Sequence, residues 1–227
     1  MFTFTEEDAK ARIAKYIAEE FDEMSCGRDL FINLGVGIPT MVADYITSKR
    51  VFLQAENGML GVGPVADEAH IDPLLINASR VKVTETKGCS YMNSADSFGM
   101  IRGGHVDATV IGAFEVDEEG NVANWIIPNG KMLGVGGAMD LVSGAKKVYI
   151  AMQHLSKKGK SKIVKKCALP ITGYGAADVI VTEYAVFKFK NGQMVLTAKA
   201  KEISFDELKS ITEAKYVLAQ NIIDISD

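Results

Sequence analysis

The 227-residue sequence predicts an α/β protein, a three-layer α/β/α arrangement around an open, mostly parallel sheet that ends in a C-terminal hairpin. Three observations predict it. Short runs rich in Val, Ile and Ala are near-continuous in apolar character, as strands covered on both faces tend to be. They alternate with segments of helical period or with glycine turns, the pattern of a layered sheet. Finally, "FKFKNGQMVLTA" sets Asn191-Gly192 between two strand-like runs, the strongest short-range hairpin signal.

The elements follow in order. Ala9, Ile13, Ile17, Phe21 and Met24 recur at three- and four-residue steps behind a Thr5/Asp8 capping pair, so the chain opens with an amphipathic helix. "LFINLG" (30–35) and "VFLQA" (51–55) read as strands that stop at turn residues, with "PTMVADYI" as a helix between them. Further strands are expected at "ATVIGAF" (108–114), "KVYIAM" (147–152) and, as one long run, "DVIVTEYAVFKF" (178–189). "SFDELKSITEA" begins with Ser204 and Glu207 in capping-box spacing and should be a closing helix.

Composition bounds the function. With 48% apolar and 24% charged residues, no linker and no repeat, residues 1–227 are expected to form a single domain. A net charge of −4 gives no general attraction to nucleic acid or an anionic membrane. The basic run "SKKGKSKIVKK" (156–166) reads as a solvated loop, with docking of a small phosphate-rich ligand as the alternative. "MFTFTEEDAKARIAKYIAEEF" has the charge distribution of neither a signal peptide nor a membrane span, so a cytoplasmic protein is expected. Cys26, Cys89 and Cys167 form no Cys-x-x-Cys pair, and His70, His105 and His154 show no ligand spacing, so no metal site is expected. His105 and Trp125 are expected to pack in the core or under a loop.

Glycine is concentrated in "NLGVGIPT" (33–40), "ENGMLGVGP" (56–64), "RGGH" (102–105) and "GVGGAMD" (134–140), and much of it falls at predicted strand ends. That edge of an open α/β sheet builds the ligand crevice. A dinucleotide fingerprint fails at Thr40 and Met139, where Gly or Ala is needed, and fits only nominally at 61–66. "HLSKKGKSK" lacks the first glycine of a P-loop, since His154 stands there. Glycine loops can instead aim N–H groups at a developing oxyanion, or simply make tight turns. Glu56 ends an apolar strand and precedes Asn57-Gly58, an arrangement that can hold a reactive side chain at a sheet edge as nucleophile elbows hold serine. The same sequence also suits an ordinary solvated turn. A carboxylate is ionised at neutral pH and needs no base to act as a nucleophile, and no Ser-His-Asp or Cys-His set can be assembled here.

"NLGVGIPT", "AENGMLGVGP", "SADSFGMIRGGHVD", "ANWIIPNGK", "GVGGAMDLV" and "KCALPITG", taken in order, resemble the β subunit of the family I CoA-transferases, which includes the acetate, butyrate–acetoacetate and 3-oxoacid enzymes. The resemblance implies an α/β/α CoA-transferase-like fold and ping-pong transfer of CoA between carboxylic acids. Glu56 falls on the motif glutamate that carries CoA as a thioester. Asn33 falls beside the reacting carbonyl, and Gly136 or Gly137 on an oxyanion-hole amide. Asn57 and Gly58 would set the Glu56 turn, while the loops at Gly35–Gly37 and 61–63 would shape the CoA channel. CoA is then a substrate rather than a cofactor, and a companion α subunit in an α2β2 assembly is implied. Departures occur at Ala55, where Ser is frequent, at Val135, at the extra Asn129, and across 77–92, where substrate choice is the property affected. Two other readings stand beside this one: a sugar-phosphate isomerase-like enzyme with Glu56 as general base, and a non-catalytic ligand-binding subunit.

Overall fold

The computed structural model describes residues 2–127, 130 and 134–225. Helix α1 (Glu6–Met24) starts where expected, with Thr5 Oγ1 accepting the Asp8 N–H at 3.1 Å. Strands β1 (Leu30–Leu34) and β2 (Val51–Ala55) pair in parallel. The segment between them is shorter than the expected helix. It is one turn, α2 (Ile38–Met41), continued by a 3-10 turn at Val42–Asp44. Pro39 starts that turn, and no side chain caps it.

Strands β3 (Met59–Val65) and β4 (Val83–Tyr91) then extend the sheet antiparallel beyond β2. The chain returns through α3 (Ser94–Arg102) to β5 (Ala108–Ile111), which lies on the other side of β1. A small second sheet follows, built from β6 (Glu115–Asp117), β7 (Val122–Ala123) and β9 (Ile163–Val164). Helix α4 (Ala138–Gly144) leads to β8 (Val148–Ala151), which pairs in parallel with β5 and β10 (Val179–Val181). The run expected as one strand at 178–189 is two. Thr182 Oγ1 accepts the N–H groups of Tyr184 and Ala185, folding the chain back into β11 (Ala185–Lys190), antiparallel to β10.

Asn191 and Gly192, at φ 52° and 74°, turn β11 into β12 (Gln193–Lys199) as the hairpin signal requires. Helix α5 (Phe205–Ile211) carries the full Ser204/Glu207 capping box, and β13 (Val217–Asp224), not foreseen, returns parallel to β12. The main sheet among the described residues therefore runs β13-β12-β11-β10-β8-β5-β1-β2-β3-β4.

Both faces of the central strands are covered, which explains their continuous apolar runs. On one face Leu30, Ile32, Val110, Tyr149 and Val181 pack with Ile13, Ile17 and Phe21 of α1. The Phe21 and Tyr149 rings meet edge to face at 5.1 Å. On the other face Ile111, Val148, Ile150 and Ile180 meet Val142 of α4, Leu208 of α5, and Val116, Val122 and Ile163 of the small sheet. The opposing layer thus contains a sheet as well as helices. The run at 156–166 is likewise only partly solvated: Lys157, Lys158 and Lys160 are exposed, but Ile163 and Val164 are buried in β9.

At the amino-terminal edge of the strands, Asp107 accepts the Phe31 N–H at 3.0 Å and faces Lys146 at 2.9 Å and Arg28 at 3.4 Å. Burial pushes its carboxyl upward, but the Phe31 N–H and the two cations outweigh that and hold it below the usual aspartate range. A depressed carboxyl stabilises the fold fully above its unfolded value of about 3.9, and this stability is lost as pH falls through the lower folded value. Asp107→Asn is expected to cost about 1–2 kcal/mol at neutral pH and to flatten the acid limb of stability below about pH 4. Thermal melts of both proteins across that range check it; an unchanged acid limb would contradict the role given to Asp107.

Candidate active site

In the main sheet β1 continues to β2 on one side, whereas the next main-sheet strand after β5 is β8, on the other side. The switch point between β1 and β5 is where an open α/β sheet leaves a crevice at its carboxyl edge. Asn33 of β1 and Thr109 of β5 stand at neighbouring register positions there, both buried.

One strand away, β2 ends at Ala55 and the chain turns through Glu56, Asn57 and Gly58. The Gly58 N–H closes on the Ala55 carbonyl at 3.0 Å. Asn57 is exposed and donates from Nδ2 to the Ile76 carbonyl at 2.9 Å, tying the turn to the loop before β4. Glu56 is half-buried, and its Oε2 accepts from Asn33 Nδ2 at 3.0 Å. A second wall comes from α3 and α4. A Cβ placed on Gly137 would lie 3.3 Å from Glu56 Cγ and 3.3 Å from the Phe98 ring, so only glycine lets the loop lie this close to the carboxylate. Arg102 binds Asp140 at 2.6 Å and joins the two helices beside this contact.

Asn33, Glu56, Gly58 and Gly137 are thus brought together. The N–H groups of Gly136 and Gly137 donate to no partner among the described residues, while Ala138 N–H bonds the Val135 carbonyl at 2.9 Å. Gly35 is anchored differently: its N–H bonds the Val110 carbonyl at 2.8 Å and its carbonyl accepts from Thr40 Oγ1 at 2.9 Å. Gly37, at φ 90°, precedes α2. Gly61 and Gly63 do not lie in a loop but inside β3, where Cβ atoms would sit 2.8 Å from Thr86 Oγ1 and 2.6 Å from Thr84 Oγ1; they allow the irregular β3–β4 pairing. The glycines of "RGGH" end a helix, α3, and not a strand. Asn129 and Lys131 lie outside the described residues.

A groove of about 810 Å³ opens along β2, lined among others by Thr40, Lys49, Leu53, Gln54, Gly63 and Lys87. It reaches Gln54 and Ala55, the two residues before Glu56. Sequence reasoning missed Gln54, Ser97 and Phe98: Gln54 Oε1 accepts from Asn33 Nδ2 at 2.8 Å and its Nε2 donates to Ser97 Oγ at 2.8 Å. The polar character of Gln54 in an otherwise apolar strand was the available signal.

The histidines do not converge on this site. His154 is fully buried between the Thr182 and Thr212 hydroxyls, where burial, with Lys162 adding to it, pushes it down to about 3 and keeps it neutral. His70 pairs with Asp67 on the surface, and His105 is exposed rather than packed as expected. Trp125 is half-buried, with its Nε1 unpaired among the described residues. No helix among these residues is long and apolar enough to cross a membrane, and no group of three His, Cys, Asp or Glu side chains could hold a metal ion.

The family model for coenzyme A transferase matches residues 10–210. The chain belongs to the coenzyme A transferase family. It is 45% identical over 204 residues to one subunit of the succinyl-CoA:3-ketoacid coenzyme A transferase of Helicobacter pylori, covering 90% of this chain and 96% of that one. To the beta subunit of the acetate CoA-transferase of Escherichia coli K12 it is 44% identical over 216 residues, covering 95% and 96%. Among solved structures, an acyl-CoA transferase (YdiF) from Escherichia coli O157:H7 superposes over 100% of this chain with TM-score 0.74 at 18% identity, a likeness of fold. This chain spans 45% of that one. The coenzyme A transferase fold and the β-subunit type both follow, and with them a CoA-transferase activity.

Proposed function

We propose that this β-type chain moves CoA between an acyl-CoA and a short-chain carboxylic or 3-oxo acid, such as acetate, butyrate or acetoacetate, by a ping-pong route through a thioester on Glu56. The Glu56 carboxylate attacks the acyl-CoA carbonyl, the C–S bond breaks, and a mixed anhydride and CoA thiolate result. The thiolate then attacks the glutamyl carbonyl, releasing the donor carboxylate and leaving glutamyl-CoA. The acceptor carboxylate reverses the two steps and leaves as the new acyl-CoA. Thioester is exchanged for thioester, so no ATP is consumed, and CoA is a substrate rather than a resident cofactor.

The observation that carries this reading is the half-buried Glu56 carboxylate with the Asn33 N–H on one oxygen and the Gly136–Gly137 amides beside it. Each step passes through a tetrahedral oxyanion, and one preorganised donor at such an oxyanion is worth on the order of 3 kcal/mol of barrier. The groove along β2, with Lys49 and Lys87 on its walls, fits the approach of a phosphate-bearing thioester. Relatives named as single subunits of two-chain transferases support a partner α subunit, and we take the assembly to be a cytoplasmic α2β2 enzyme closed against water where the two chain types meet.

Incubation of the complex with an acyl-CoA, borohydride reduction and peptide mass analysis tests the proposal. Reduction of Glu56 to the alcohol is expected. Transfer with Glu56 unmodified would leave it a general base, and binding without turnover would leave a ligand-binding subunit.

A further inference from the structure

We infer that Gln54 is a positioning residue for Glu56, acting through Asn33 by fixing which edge of its amide meets the carboxylate. This rests on the reading of Glu56 as the nucleophile. Gln54 is 3% exposed and Ser97 fully buried, and burying such groups is costly unless they are hydrogen-bonded. They are bonded in one continuous line, from Ser97 of α3 through Gln54 of β2 and Asn33 of β1 to Glu56.

An asparagine amide has a donor edge and an acceptor edge of nearly equal shape. Turned one way, Asn33 offers N–H to Glu56; turned the other, it sets oxygen against oxygen. Two acceptors of Gln54 favour the first: its Oε1 and its backbone carbonyl lie 2.8 and 3.1 Å from Asn33 Nδ2. Nothing on the far side holds the amide, since Asn33 Oδ1 and Thr109 Oγ1 have no partner among the described residues. The orientation therefore depends on Gln54, which Ser97 anchors in turn. The donor so aimed meets the oxygen that gains charge each time the glutamyl carbonyl becomes tetrahedral.

The test uses the complex with its α subunit, acetyl-CoA as donor, and the variants Gln54→Met, Asn33→Ala and the double substitution. Glu56 adduct formation in a single turnover is read by peptide mass after borohydride, beside steady-state kinetics and melts. Gln54→Met is expected to slow adduct formation and kcat about tenfold, the loss of one well-placed hydrogen bond, with KM within about twofold. In the Asn33→Ala background it should have no further effect, because it acts through Asn33. Ser97→Ala should show a smaller loss of the same kind. Wild-type adduct rates in Gln54→Met, with or without a lowered Tm, overturn the inference. So does a loss that multiplies with that of Asn33→Ala. If the wild-type complex forms no adduct on Glu56, the nucleophile reading itself fails and takes this one with it.

Discussion

Glu56→Asp is expected to fold and assemble like the wild type and to lose at least about a hundredfold in turnover. The shorter side chain withdraws the carboxylate by about 1 Å, and a displacement of that size costs on the order of 10² in rate when nucleophile and electrophile must meet in line. The surroundings cannot follow it. Asn33 is held by Gln54 within β1, and the Gly137 loop is braced by Phe98 and the Arg102–Asp140 pair. Glu56→Gln keeps the shape but removes the nucleophile, and it also sets an amide against the Asn33 donor. Turnover should fall to background. Both variants should melt within about 2 °C of the wild type, because a half-buried turn side chain contributes little to the core. Measurement of kcat for an acyl-donor panel, beside the melts, decides it: near wild-type turnover in Glu56→Asp removes Glu56 from the chemistry.

Much of this arrangement was legible in the sequence, for identifiable reasons. β1, β2, β5 and β8 are covered on both faces, so each writes a run of apolar residues into the chain. Caps and the Asn-Gly turn are local devices, and Thr5, Ser204 and Asn191-Gly192 behave as their chemistry requires. The elements missed obey no local rule. β4 is an edge strand, mostly exposed and polar, with Gly88 at φ 88° inside it. The strands of the small sheet are only two or three residues long, too short to show a period. The break between β10 and β11 is made by one threonine hydroxyl in a run that reads as continuous strand.

The site divides the same way. Glu56 was visible because a strand ending in an acid and then Asn-Gly is a local pattern, while Asn33 and Gly136–Gly137 entered through family resemblance. The part set by tertiary structure was not visible. Ser97 and Phe98 come from a helix some forty residues after β2, and only the crossing of α3 over the sheet brings them to Gln54 and Gly137. Gly61 and Gly63 misled for the converse reason. Glycine in "GVG" suggests a ligand loop, but the close neighbour is the protein's own β4.

Gly58 is where the fold and the site depend on the same atom. Its φ of 125° lies where a side chain is strained, and a Cβ there would fall well inside contact distance of the Met92 carbonyl oxygen. That carbonyl cannot easily retreat. The Met92 N–H bonds the Gly58 carbonyl at 2.9 Å, and the next residue, Asn93, caps α3 through the Asp96 N–H at 2.9 Å. Gly58→Ala must therefore open the Glu56 turn or shift the start of the helix that carries Ser97 and Phe98. Backbone strain of about 1–3 kcal/mol and overpacking of similar size add to roughly 3–5 kcal/mol, or about 6 °C or more in apparent Tm for a chain of this length. Gly88→Ala separates the two contributions, since Gly88 has φ 88° but nothing within 4 Å of its Cβ position. It should lose only the strain, about 1–2 kcal/mol, and keep its turnover. Gly58→Ala should lose both stability and turnover, because both routes of relief move a residue that touches Glu56 or its neighbours. Equal melting shifts in the two variants would mean that the Met92 carbonyl gives way freely and that the Glu56 turn is not braced against α3.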